Sequence, residues 1–147
     1  MIEVWTDGSC DHHDTRRPGG WAYVIKCPMS DGEEKELTLS GNSLNTTNNQ
    51  MELMAILQAI KTIKRLKDDY GKHVTLYSDS EWSVRCLTGV YNCYKDPSAG
   101  HVMFLKEIKW TTGSLIIDYQ HIRAHSGILE NELVNTLAVN ARIQIAA

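Results

Sequence analysis

Ile2, Val4 and Thr6 alternate with Glu3, Trp5 and Asp7 before Gly8-Ser9 turns the chain. This period of two predicts a strand with Asp7 at its carboxyl end, where open α/β sheets place ligands. Residues 11–20 are polar and close on Pro18-Gly19-Gly20, a loop; 21–27 have strand composition, 28–32 form a turn, and 35–41 alternate again. These three strands predict an antiparallel meander. Thr47-Asn48-Asn49-Gln50 then has the form of a capping box. Leu53, Met54, Leu57, Ile60, Ile63 and Leu66 follow at helical spacing, predicting a helix over 48–67 that Tyr70-Gly71 stops. Next come a strand over 73–78, a short helix over 80–87 ending at Gly89, and an ill-defined stretch over 90–100 with a turn at Asp96-Pro97. Val102, Leu105 and Ile108 predict a helix over 101–110. A last strand over 114–122 leads through His125-Ser126-Gly127 to a helix from Glu130, with Leu133, Val134, Leu137, Ala138 and Ala141 inward.

Three strands followed by alternating helix and strand define an α/β chain. The expected sheet is mixed and five-stranded, three strands antiparallel and then two parallel, flanked by helices. A length of 147 residues suits one domain over 1–147 with a core that needs neither disulfides nor a structural metal. There is no internal repeat or low-complexity tract. No apolar leader segment precedes the first strand and no run of about 18 apolar residues occurs, so a soluble, cytoplasmic chain without membrane contact is expected. Cys10, Cys27, Cys86 and Cys93 lack both zinc-site spacing and the density of a secreted scaffold. They read as isolated thiols, with a Cys86–Cys93 bridge left open because spacing does not settle geometry.

The formal net charge of −3 does not advertise a nucleic-acid binder. Local charge changes that picture, because three acids end or begin separate elements. Asp7 closes the first strand, Glu52 opens the long helix and Asp79 closes the strand Leu76-Tyr77-Ser78-Asp79. Clustered carboxylates repel, and hard divalent cations such as Mg²⁺, which prefer oxygen ligands, relieve the repulsion. Singly, Glu52 would be an ordinary first-turn acid and Asp79 a helix cap.

Four strings occur in register with these elements: Thr6-Asp7-Gly8-Ser9-Cys10, Thr47-Asn48-Asn49-Gln50-Met51-Glu52-Leu53, Ser78-Asp79-Ser80, and His125-Ser126-Gly127 with Asn131-Glu132-x-x-Asn135-x-Leu137-Ala138. In content and order they resemble the successive signatures of type 1 ribonuclease H, over nearly the whole chain. The resemblance implies a ribonuclease H-like fold and an endonuclease that hydrolyses the RNA strand of RNA/DNA hybrids. It also implies two Mg²⁺ (or Mn²⁺) ions with substrate bound, 5′-phosphate and 3′-hydroxyl ends, and a monomer with no obligate protein partner. By the same resemblance Asp7 bridges both metals, Glu52 and Asp79 complete the leaving-group site, and position 135 serves the ion of the nucleophilic water. His125 handles protons at the leaving group or at product release. Gly8, Ser9 and Asn48 contact the RNA or the groove, and Thr47 and Asn49 hold a DNA-strand phosphate at the helix N-terminus.

The chain departs from the family pattern in three places. Asn135 stands where the family has aspartate, and an amide is neutral with one good ligating oxygen. It implies an active natural variant, a silent hybrid-binding relative, or an engineered substitution; the first is the reading adopted. A DNA-acting nuclease of the same superfamily is the remaining alternative. Glu81 replaces a glutamine that often contacts RNA. No Lys/Arg-rich protrusion follows Asp79, for which Arg16-Arg17 or the face carrying Lys61, Lys64, Arg65 and Lys67 are substitutes, unless the latter is a solvated helix face. His12-His13 is a weak metal motif, because adjacent imidazoles on an extended chain point apart.

Overall fold

The computed structural model describes residues 1–66 and 73–147. In chain order the elements are β1 (Ile2–Cys10), β2 (Gly19–Pro28), β3 (Glu34–Ser43), α1 (Asn48–Arg65), β4 (His73–Ser78), α2 (Glu81–Leu87), α3 (Gly100–Thr112), β5 (Ile116–His121) and α4 (Leu129–Ala146). The sheet order is β3-β2-β1-β4-β5, antiparallel across β3-β2-β1 and parallel across β1-β4-β5. The expected ribonuclease H-like architecture is therefore present. α1 ends at Arg65, inside the expected boundary. Lys67 and the stop at Tyr70-Gly71 lie outside the described residues.

Both faces of the sheet are covered, which is why β1 is buried on both sides of its alternation. Ile2 and Val4, with Tyr23 and Ile25, pack on Leu53, Ile56, Leu57 and Ile60 of α1 and on Leu105 and Ile108 of α3. Trp5, Ala22 and Val24 pack on Val134 and Ala138 of α4. Along α4, Val134, Ala138 and Ala141 point inward as expected, but Leu133 is 40 % exposed and Asn131 is buried in its stead. A period of 3.6 alone does not fix which edge of an apolar stripe meets the sheet; the contact with β2 does.

Two glycines set how closely the helices sit. A Cβ on Gly8 would lie 2.3 Å from the Glu52 nitrogen and 2.4 Å from the Met51 carbonyl carbon, so β1 touches the backbone of α1's first turn. A Cβ on Gly20 would lie 2.0 Å from the Ala138 oxygen, so β2 touches α4 in the same way. Neither neighbour is a flexible side chain that could give way. Gly8→Ala is expected to destabilise the fold by about 3 kcal/mol, the upper range for forced overpacking. Urea unfolding checks this, and a change under about 0.5 kcal/mol, the scatter of neutral surface substitutions, would show that the approach is not tight.

The cysteines require a correction. Cys86 and Cys93 form a disulfide, while Cys10 and Cys27 are free and buried. α2 ends at Leu87 with Thr88 as its cap, the chain reverses at Gly89 (φ 79°), and the Tyr91 amide donates to the Arg85 carbonyl. That reversal brings the two Cα atoms to 5.7 Å, within disulfide reach.

Candidate active site

Asp7 and Asp79 reach one spot because β1 and β4 are parallel neighbours. Thr6 pairs with Ser78, so the next residue on each strand emerges side by side at the carboxyl edge. Glu52 is delivered from above by α1, whose start is anchored by Thr47: its hydroxyl accepts from the Gln50 amide at 3.1 Å. The reciprocal half of the capping box is absent, since the Gln50 side chain accepts instead from the Thr46 hydroxyl at 3.3 Å. Asp7, Glu52 and Asp79 each offer a carboxylate oxygen within 4.8 Å of the others.

Asp7 and Glu52 are 2 % and 3 % exposed. No lysine or arginine bonds to any of the three carboxylates among the described residues. Burial, then the Asp7 charge, raises the Glu52 carboxyl well above the carboxylate range. The same causes in the same order push Asp79 up to about 6. These are the signs of negative charge gathered for a cation.

α4 closes the site from the other face of the sheet. Lys26 of β2 bonds Glu130 at 2.8 Å and the Asn42 amide donates to the Ala141 carbonyl, fixing the helix against the sheet. Asn135 is half-buried and its Nδ2 donates to Asp7 Oδ2 at 3.0 Å, so it is a member of the cluster rather than a surface residue. One helical turn earlier Asn131, 2 % exposed, donates to Asp79 Oδ2 at 3.4 Å. Asn131 falls within the fourth motif, and its i, i+4 spacing from Asn135 on one helix face is the sequence signal that places it at the site.

The remaining residues are more dispersed. His125 lies exposed on the loop after β5 in left-handed backbone (φ 54°), its Nδ1 3.7 Å from Glu132 Oε2. Gly8 is buried, with its amide donating to Asp7 Oδ1, Ser9 is half-buried, and Asn48 and Asn49 are exposed in α1's first turn. Glu81 is held by Arg85 at 2.7 Å, so its charge is countered. Arg16 is tied to Asp14 and the Ala146 carbonyl, and Arg17 to Asn45. Both arginines brace the first loop. His12 and His13 are exposed and belong to no ligand cluster among the described residues.

The donor set fits a divalent cation. All the groups are oxygen ligands of the kind Mg²⁺ selects, and one of their oxygens, Glu52 Oε2, is buried with no hydrogen-bond partner. Unpaired buried oxygens are costly unless something coordinates them.

This sheet order, with three acids at the edge where β1 meets β4, defines a ribonuclease H-like nuclease fold. The family model for RNase H matches residues 1–143. The chain is 32 % identical to the ribonuclease H of Rhodopirellula baltica over 95 % of its length and 89 % of that protein's. It is 34 % identical to ribonuclease HI of Campylobacter jejuni, covering 99 % and 93 %. Among solved structures it superposes on LC9-RNase H1, a type 1 RNase H with the type 2 active-site motif, with TM-score 0.83 at 21 % identity, covering 97 % of this chain and 72 % of that one. LC11-RNase H1 in complex with RNA/DNA hybrid gives TM-score 0.80 at 21 % identity over the whole of both chains. The chain belongs to the ribonuclease H family.

Proposed function

We propose that the chain hydrolyses the RNA strand of RNA/DNA hybrids endonucleolytically, leaving 5′-phosphate and 3′-hydroxyl ends. The observation that carries this is the convergence of buried Asp7 and Glu52 and half-buried Asp79 within 4.8 Å, without a Lys or Arg partner among the described residues, in a member of this family. Two Mg²⁺ (or Mn²⁺) ions held by Asp7, Glu52, Asp79 and Asn135 would neutralise charge on the attacking and departing oxygens of an in-line displacement at phosphorus.

The side chains divide the remaining work. Asp7 sits between the other two acids and Asn135, the place for a shared ligand. Asn135 contributes its amide oxygen once the amide turns over, since its N–H now faces Asp7. His125, exposed on a loop and free to approach and withdraw, donates a proton to the departing 3′-oxygen. Asn48 and Asn49 at α1's start and Ser9 near the end of β1 present small polar groups to 2′-hydroxyls and phosphate. Comparison of end-labelled RNA/DNA and DNA/DNA duplexes tests the substrate class. Cleavage confined to the RNA of the hybrid supports it, and equal cleavage of DNA/DNA would assign the chain to DNA instead.

Asn131 is the positioning residue for Asp79. Its N–H favours the charged carboxylate, so Asn131→Ala is expected to move the acid limb of the pH–rate profile to higher pH. The Mg²⁺ requirement should rise about tenfold, as for other groups that orient a metal ligand. Rates measured against pH and Mg²⁺ would show both shifts; if neither moves, the contact is incidental.

A further inference from the structure

Away from the acids, the far ends of α1 and α3 build a surface of opposite character. The two helices run side by side in the same direction: Gly100 lies beside Gln50 and Lys61 bonds Glu107 at 3.1 Å. Their last turns therefore meet. Trp110 stands there 85 % exposed, more than any other large apolar side chain among the described residues. Trp110 lines two shallow depressions, one of about 490 Å³ shared with Lys61, Lys64 and Arg65, and one of about 630 Å³ shared with Lys106 and Lys109. Among the described residues of α1 and α3 at this end, Glu107 is the one carboxylate, and Lys64, Lys106 and Lys109 form no ion pair. In a chain of net charge −3 this is a local concentration of five cations.

An indole so exposed contributes little to the core. Flanked by cations, it matches a polyanion that also carries planar faces. Unpaired nucleic acid has both features, whereas a duplex hides its base faces by stacking. We propose that this surface is a second nucleic-acid site, one that holds an unpaired strand with a base stacked on Trp110 and phosphates on the surrounding lysines and Arg65. It lies about 18 Å along α1 from Glu52. It is therefore separate from the hydrolytic site, and a single strand leaving a bound hybrid would need about six nucleotides at about 3.4 Å each to span that distance.

The test uses the full chain in EDTA with a fluorescein-labelled single-stranded DNA 12-mer, read by anisotropy. Trp110→Ala should weaken binding about tenfold, the scale of one lost base stack. The double variant Lys106→Ala, Lys109→Ala should weaken it and lower the slope of log K against log salt by about 1.4. Thermal unfolding of both variants should match the parent, since the replaced side chains lie at the surface. With blunt hybrids the variants should bind as the parent does, while hybrids with a single-stranded tail should lose their advantage only in the variants. The proposal falls if the parent does not bind the 12-mer, or if the variants bind it as tightly. It also falls if they lose binding to an acidic peptide such as oligoglutamate but not to the 12-mer, which would assign the surface to a protein segment.

Discussion

Asp7→Asn is expected to lower hydrolysis of an RNA/DNA hybrid by at least about 10³-fold, or about 4 kcal/mol of barrier, while making the metal-free protein more stable. Both effects have one origin. Asp7 is 2 % exposed, with Glu52 and Asp79 within 4.8 Å and, among the described residues, no Lys or Arg bonded to them. Its charge is among the causes that raise both neighbours' proton affinity. Removing it withdraws a shared ligand and also removes repulsion. The packing survives, because Asn still offers the Gly8 amide an acceptor and the Asn135 amide can turn to accept from the new N–H. The checks are single-turnover cleavage and the melting temperature in EDTA. A variant that loses activity and melts lower would mean that Asp7 holds the fold rather than the substrate's cation.

The same repulsion sets the pH dependence of stability. Folded Asp79 titrates near 6 and Glu52 well above its ordinary range, while both return to about 4 on unfolding. Between about pH 6 and pH 4 the folded chain therefore binds more protons than the unfolded one. This contribution to stability grows as the pH falls through that window and is lost as it rises. A divalent cation takes the proton's place. At 100 times its Kd it contributes about 2.7 kcal/mol, or about 5–10 °C for a chain of this size. The Mg²⁺-induced rise in melting temperature should thus be large at pH 8, small at pH 5, and much reduced in Asp7→Asn. Calorimetric scans at the two pH values measure it, and equal increments at both would dissociate the carboxylates from metal binding.

The sheet was legible because β1 and β3 alternate in sequence and α1 carries a side-chain cap. β1 places Asp7 at a carboxyl edge, and Thr47 marks the start of α1 and so the position of Glu52. Tertiary contacts were less visible. Nothing in the spacing of Cys86 and Cys93 shows that Gly89 reverses the chain between them. The tightness of the site depends on Gly8 and Gly20, whose roles follow from where α1 and α4 dock rather than from local pattern. Leu133 is exposed and Asn131 buried for a similar reason: the apolar stripe of α4 has two possible edges, and packing on β2 turns the Asn131 edge inward, beside Asp79. Lys61, Lys64 and Arg65 read as a solvated face or a substrate grip until α3 set Trp110 among them.

The most direct measurement is cleavage of a 5′-labelled RNA/DNA hybrid by this chain and by its Asn135→Asp variant, each with Mg²⁺ and with Mn²⁺. Asn135 already bonds Asp7 inside the cluster, so the chain as it stands should cut the RNA strand with at least one of the two metals, the variant cutting faster. If only the variant cuts while both bind the hybrid, the amide does not suffice at this position, and the chain is a hybrid-binding protein rather than a nuclease.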